Sequence, residues 1–472
     1  MPSLRRLSVA LASCAVFPMT GLADPQLASL FQDHAVLQRD KPINVWGNAD
    51  PGEHLSVNFG DQTLTVTAGA DGKWTVVFDA LGANASGADL TVAGKSVVTI
   101  HDILIGEVWL CSGQSNMEFE VNDPASSYAV DNADSEVSEA RYPSIRQFKV
   151  ARNAPATPAD GAAGDWKVCS PETVGQFTAV GYYFARDLAD RLNVPIGIID
   201  AAWTGTPIES WMSAAALSKF RPVSNGHPVP GAPASAMDPY VASSLYNGMI
   251  HPLLSFGVRG VLWYQGESNV DNASAYAALF QAMITQWRAD FGGGDFPFLW
   301  VQLANFNPPN APPGNQWAFL REAQSRALSL PLTGQAVAID IGDPNNIHPK
   351  NKQEVGRRLA LIAKAKVYEV PVDYSGPVYD KAVVEGSNIK VHFLFAGEGL
   401  TASGKPLQSF ELAGADKVFY PATAIIRGDS VVVGCTKVPK PVAVRYAWRN
   451  APDANLFNGA GLPAAPFRSD TW

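Results

Sequence analysis

Between Gly106 and about residue 363 the chain alternates short, unbroken apolar runs with longer stretches of helical periodicity. No other feature narrows the fold as much. The runs are Val108-Trp109-Leu110-Cys111, Ile196-Gly197-Ile198-Ile199, residues 258–264, Phe298-Leu299-Trp300-Val301 and residues 336–339. Helical patterns fill the intervals at 180–192, 208–217, 276–287, 318–328 and 353–363. A strand apolar on both faces must be covered on both faces, so the pattern predicts an α/β fold with a parallel sheet between helical layers. Such sheets bind ligands beyond the carboxyl ends of their strands.

The flanks read differently. Residues 24–104 hold short strand-like runs, such as Leu55-Ser56-Val57-Asn58-Phe59 and Trp74-Thr75-Val76-Val77-Phe78. Turn signals at Asp50-Pro51-Gly52 and Asp71-Gly72-Lys73 separate them, which suits a small β-sandwich. Strand texture returns over 368–472, with an irregular tail from 453. The expected organisation is an N-terminal β domain over 24–104, an α/β domain over 105–367 and a C-terminal β region over 368–472. With 47% hydrophobic and 17% charged residues the chain can build a large core. Its net charge of −9, without a Lys/Arg run, argues against a nucleic-acid partner or an anionic membrane surface. Twelve tryptophans suit aromatic, sugar-facing surfaces.

Residues 1–23 read as a secretory signal: Arg5 and Arg6, an apolar stretch over 7–17, then Gly21-Leu22-Ala23. A secreted or periplasmic protein is expected, and loss of two arginines and no acid takes the charge from −9 to −11. Leu11-Ala12-Ser13-Cys14 also fits a lipobox, which would anchor the chain through a lipidated Cys14. No later segment has the roughly 20 apolar residues of a membrane span. Cys111, Cys169 and Cys435 would remain, so at most one disulfide, such as Cys169–Cys435, is available. Cys111 reads as a buried small hydrophobe. No Cys/His cluster has ligand spacing, so neither a metal nor a cofactor is expected.

Three polar segments follow apolar strands. Cys111-Ser112-Gly113-Gln114-Ser115-Asn116-Met117 offers Ser115 as a hydroxyl at a strand end, where a nucleophile or a helix cap can sit. Tyr264-Gln265-Gly266-Glu267-Ser268-Asn269 supplies two amides of the type that can hold an oxyanion, Gln265 and Asn269, and a carboxylate, Glu267. Asp343-Pro344-Asn345-Asn346-Ile347-His348 places an imidazole in a loop near acids, where a general base can work. Taken together these have the logic of Ser–His acyl transfer.

With these segments the chain resembles the sialate O-acetylesterase family of SGNH hydrolases, which also holds bacterial acetylxylan esterases. The resemblance runs nearly end to end. It includes Leu37-Gln38-Arg39-Asp40-Lys41-Pro42, Gly205-Thr206-Pro207-Ile208-Glu209-Ser210-Trp211, His348-Pro349-Lys350-Asn351-Lys352 and Pro466-Phe467-Arg468. It implies a flavodoxin-like three-layer domain, no metal, and acetyl esters on sugar hydroxyls as substrate. It also implies Ser115 as nucleophile and His348 as base. The oxyanion hole it implies is formed by the N–H groups of Ser115 and Gly205 with Gln265, or Asn269, as third donor. Two positions depart from the family pattern. Thr204 stands where a second glycine is expected, and Asn345 and Asn346 stand where the acid beside the base usually lies. The orienting acid is then Asp343, Glu267 or none, with Asp343 favoured by proximity. Two other functions fit the same scaffold: a secreted glycan-binding protein with a decayed site, and a broader short-chain esterase or lipase. The oligomeric state and the particular glycan are not written in the sequence.

Overall fold

The strand Val97–Gly113 organises the molecule. In the computed structural model, which describes residues 24–124, 128–220, 237–309 and 314–472, this strand is 17 residues long. Its first six residues are exposed or half-buried and its last eleven are buried throughout. The early part pairs antiparallel with Asn84–Ala93, and Leu104 to Gly106 pair in parallel with Val36–Gln38. The later part lies between Ile196–Ala202 and Gly260–Tyr264, parallel to both. Residue 105 therefore falls inside a strand, not in a linker. The expected signal segment and Cys14 lie outside the described residues.

Across the central sheet the order is Gly164–Cys169, Tyr142–Val150, Ile196–Ala202, Val97–Gly113, Gly260–Tyr264, Phe298–Val301 and Thr333–Ala336. All neighbours are parallel except the first pair. Setting aside the hairpin of the first two, the remaining five run 2-1-3-4-5, the flavodoxin-like order. The helices Ala179–Leu192 and Lys352–Lys366 pack together, as do Ala273–Asp290 and Gln316–Ser325. Right-handed crossovers then place the two pairs on opposite faces.

One hydrophobic core is continuous from Leu30 in the N-terminal β region to Ala363 in the α/β region. A second, from Ile389 to Phe467, lies in the C-terminal sheets and takes in Ile339. This explains why the strand expected at 336–339 is instead Thr333–Ala336. Ile339 turns into the second core, and the Val337 carbonyl accepts from Arg358. The helix expected over 208–217 is split into a 3₁₀ turn, Ile208–Trp211, and a short helix, Ala214–Leu217. Ser213 starts the second piece by accepting from the Ala216 N–H. Trp109, Trp211, Trp263, Trp287 and Trp300 are fully buried, so these five are core rather than sugar-facing. Cys169 and Cys435 are unpaired.

Candidate active site

Three strands end level with one another. Gly113 pairs with Ala202 on one side and with Tyr264 on the other, at the point where the strand order reverses. The close approach demands glycine: at φ 137° a Cβ on Gly113 would stand 2.2 Å from the Tyr264 carbonyl oxygen. The chain leaves these three ends as Gln114-Ser115, Trp203-Thr204-Gly205 and Gln265-Gly266-Glu267. Ser115, Gly205 and Gln265 thus meet because their strands do.

Ser115 opens the short helix Ser115–Glu118 and is 4% exposed. Its Oγ lies 2.8 Å from His348 Nε2. The His348 N–H donates to Asn346 Oδ1 at 2.9 Å, which fixes the loop before the ring, and the Tyr128 ring meets the imidazole edge-on at 5.2 Å. Burial, and then the nearby charge of Lys352, push the imidazole down to about 4. It is therefore neutral at physiological pH, with Nε2 free to accept the serine proton.

Among the described residues no carboxylate hydrogen-bonds or ion-pairs with the His348 ring. Asp343 is exposed, and its Oδ1 accepts from the Asn345 N–H at 2.8 Å. Glu267 accepts from Asn116 Nδ2 at 2.6 Å; its other oxygen is buried without a partner, and burial raises its pKa.

The two amides are also committed elsewhere. Gln265 Nε2 donates to the Thr206 carbonyl at 3.1 Å and to Asn269 Oδ1 at 2.8 Å, while its Oε1 accepts from Tyr276. Asn269 donates to Glu209 and accepts from the Ile208 N–H. Both clamp the loop that carries Gly205, and no hydrogen of Gln265 is left for an oxyanion. The Ser115 and Gly205 N–H groups, in contrast, donate to no protein acceptor among the described residues. Gly205 is in a left-handed conformation at φ 77°, and Ser268 Oγ donates to its carbonyl at 2.8 Å.

Thr204 is held by Glu118. One Glu118 oxygen accepts from both the Thr204 N–H and its hydroxyl, and the other from Arg152, whose guanidinium lies over Trp203. A second glycine could not make the hydroxyl bond. Sequence reasoning passed over Glu118, Asn116 and Lys352, although each lies within four residues of Ser115 or His348. Cys111 is fully buried and its thiol is pushed up by burial, so it is not a nucleophile. Two segments that could shape substrate choice, 118–144 and 223–239, fall partly outside the described residues, at 125–127 and 223–236.

Comparison with known proteins follows the same lines. The family model described as carbohydrate esterase, sialic acid-specific acetylesterase, matches residues 105–364. Sialate O-acetylesterase from Homo sapiens is 31% identical over 498 residues, covering 94% of this chain and 92% of that protein. The Rattus norvegicus sialate O-acetylesterase is 30% identical over 523 residues, covering 94% of each. A solved structure of a carbohydrate acetylesterase from Xanthomonas citri superposes with a TM-score of 0.87 at 43% identity, covering 95% of this chain and 100% of that one.

Proposed function

The chain belongs to the sialic acid-specific acetylesterase family of carbohydrate esterases, and from that premise we propose that it removes acetyl groups from sugar hydroxyls by a Ser115–His348 acyl-enzyme route. It is an esterase; the finer reading is that its substrates are acetylated xylan or other hemicellulose, or O-acetyl sialic acid. The observation that carries the mechanism is the 2.8 Å Ser115–His348 contact beside the N–H groups of Ser115 and Gly205, which have no protein acceptor among the described residues.

In the proposed cycle His348 Nε2 takes the hydroxyl proton as Ser115 Oγ attacks the acetyl carbonyl. The Ser115 and Gly205 N–H groups receive the negative charge that develops on oxygen. Collapse of the tetrahedral intermediate expels the sugar alcohol, protonated by His348. Water, activated by the same imidazole, then releases acetate and regenerates the serine. Neutral acetylated glycans suit a chain of net negative charge better than a strongly anionic polymer does. Export through residues 1–23 would bring the enzyme to such polymers.

The test is acetate release from acetylated xylan oligosaccharides and O-acetyl sialic acid, beside aryl esters of increasing acyl length. Release from a sugar, with aryl-ester rates falling steeply beyond acetyl, is the expected result. Glycan binding without release, or rates rising with acyl length, would overturn the reading.

We further propose a serine–histidine dyad without an acid, because the carboxylate nearest in sequence, Asp343, bonds only its own loop among the described residues. Asp343→Asn is expected to change kcat by less than about threefold, where loss of an orienting triad acid costs about 10⁴. Steady-state kinetics on an aryl acetate decides between them.

A further inference from the structure

Asn116 follows the nucleophile directly and is 1% exposed, yet it faces three polar partners from distant parts of the chain. Its Nδ2 donates to Glu267 Oε1 at 2.6 Å and to the carbonyl of Ile347, the residue before His348, at 3.0 Å. Its Oδ1 accepts from Lys352 Nζ. Only a side chain that donates twice and accepts at once can fill this position; an aspartate would set a charge against Glu267, and an aliphatic would leave three buried polar groups unpaired.

Lys352 is the more unusual partner. It is fully buried and stands at the first residue of the helix Lys352–Lys366, the end where the helix dipole disfavours a cation. Its ammonium lies 4.7 Å from the Phe119 ring centre and 5.2 Å from that of Tyr264, faces that stabilise positive charge. Burial lowers it to about 7, so it is protonated throughout the range in which His348 titrates. A buried cation at an unfavourable helix end, joined through one amide to the nucleophile turn and the base loop, calls for a role besides packing.

We propose that Asn116 and Lys352 are positioning residues that fix the His348 loop against Ser115, in a site where no carboxylate among the described residues holds the ring. This rests on the serine–histidine reading above. The charged groups around the imidazole are Lys352 and, behind Asn116, Glu267; its hydroxyl-bearing neighbours are Ser115 and Tyr128. An acid partner would raise the imidazole pKa, whereas a cation lowers it. Burial is the larger cause of the lowered His348 value and stays in place, so removing the cation should move His348 up from about 4 by part of the way only.

The experiment is an NMR titration of histidine ring signals, His348 being assigned through His348→Asn, in the wild type and in Lys352→Met. The wild-type His348 signal is expected to titrate near 4 and to move up in the variant, together with the acid limb of kcat/KM. In Asn116→Ala, kcat is expected to fall by about 10²-fold with KM nearly unchanged, as displacement of the base dictates. Lys352→Met leaves Glu267 buried without a counter-charge, so Lys352→Met/Glu267→Gln is measured beside it and should show the same upward titration. An unmoved His348 signal in a folded variant, or an unchanged kcat in Asn116→Ala, overturns the proposal. So does a double variant that still fails to fold, which would assign Lys352 to stability alone. The titration needs no turnover and is independent of the esterase reading, which Ser115→Ala decides.

Discussion

Ser115→Ala is expected to lower kcat for an aryl acetate by about 10⁴- to 10⁶-fold, and His348→Asn by a similar factor. The two changes together should be no worse than either alone. A hydroxyl without a base is a poor nucleophile, and a base without its hydroxyl has nothing to activate, so the second substitution removes what the first has already disabled. The fold should survive Ser115→Ala, because among the described residues the Ser115 side chain bonds only His348. Residual turnover would come from the Ser115 and Gly205 N–H groups, which the substitution leaves in place. Kinetics of the two single variants and the double, with far-UV circular dichroism to check the fold, test this. Losses that multiply in the double variant would mean that the residues act independently, and the acyl-enzyme route would fail.

Arg321→Met is expected to destabilise the protein by about 3–5 kcal/mol, the largest structural effect foreseen for a single side chain. Arg321 is fully buried, and none of its bonds goes to a carboxylate. Its guanidinium donates to the carbonyls of Leu303 and Ala304 at 2.7 Å each, and to those of Arg449 and Asn450 at 2.8 Å each. The first two follow the strand Phe298–Val301, and the other two belong to the C-terminal region. Burial lowers this guanidinium to about 9, so its charge survives at neutral pH through those four carbonyls. Methionine fills much of the volume but strands the Leu303, Ala304 and Arg449 carbonyls, each with its own desolvation cost, and leaves the Asn450 carbonyl with only the Phe306 N–H at 3.5 Å. Guanidinium chloride unfolding is the measurement. The C-terminal region should loosen first in the variant, and Trp448, which meets Phe319 edge-on at 5.5 Å across this seam, should report it. A loss under about 1 kcal/mol would mean that water readily replaces the arginine.

The fold was legible where burial on both faces leaves its mark in composition. Phe298-Leu299-Trp300-Val301 was read as a strand and is one, with all four residues buried. The same rule failed at residues 337–339, since an apolar run entering a second core looks like one continuing a strand. At 208–217 the helical period hid the Ser213 cap.

In the site, Ser115 and His348 could be found by residue type and by their place after strands, and the structure brings them together. The amides Gln265 and Asn269 were found for their chemistry, but their use depends on carbonyls and N–H groups about 60 residues away. Those partners cannot be read from a motif. Asn116 reaches Lys352 across 236 positions. The one local hint was a lysine at the start of a helix, where its charge is unwelcome.

The strand Val97–Gly113 has a consequence for anyone wishing to move the catalytic unit into another protein. A cut at residue 105 would discard the first half of the sheet's central strand and strip its remaining edge of Val36–Gln38. The N-terminal β region is thus no detachable accessory. It is the near end of a beam whose far end, two residues on, holds the nucleophile, and a graft that keeps one end must keep the other.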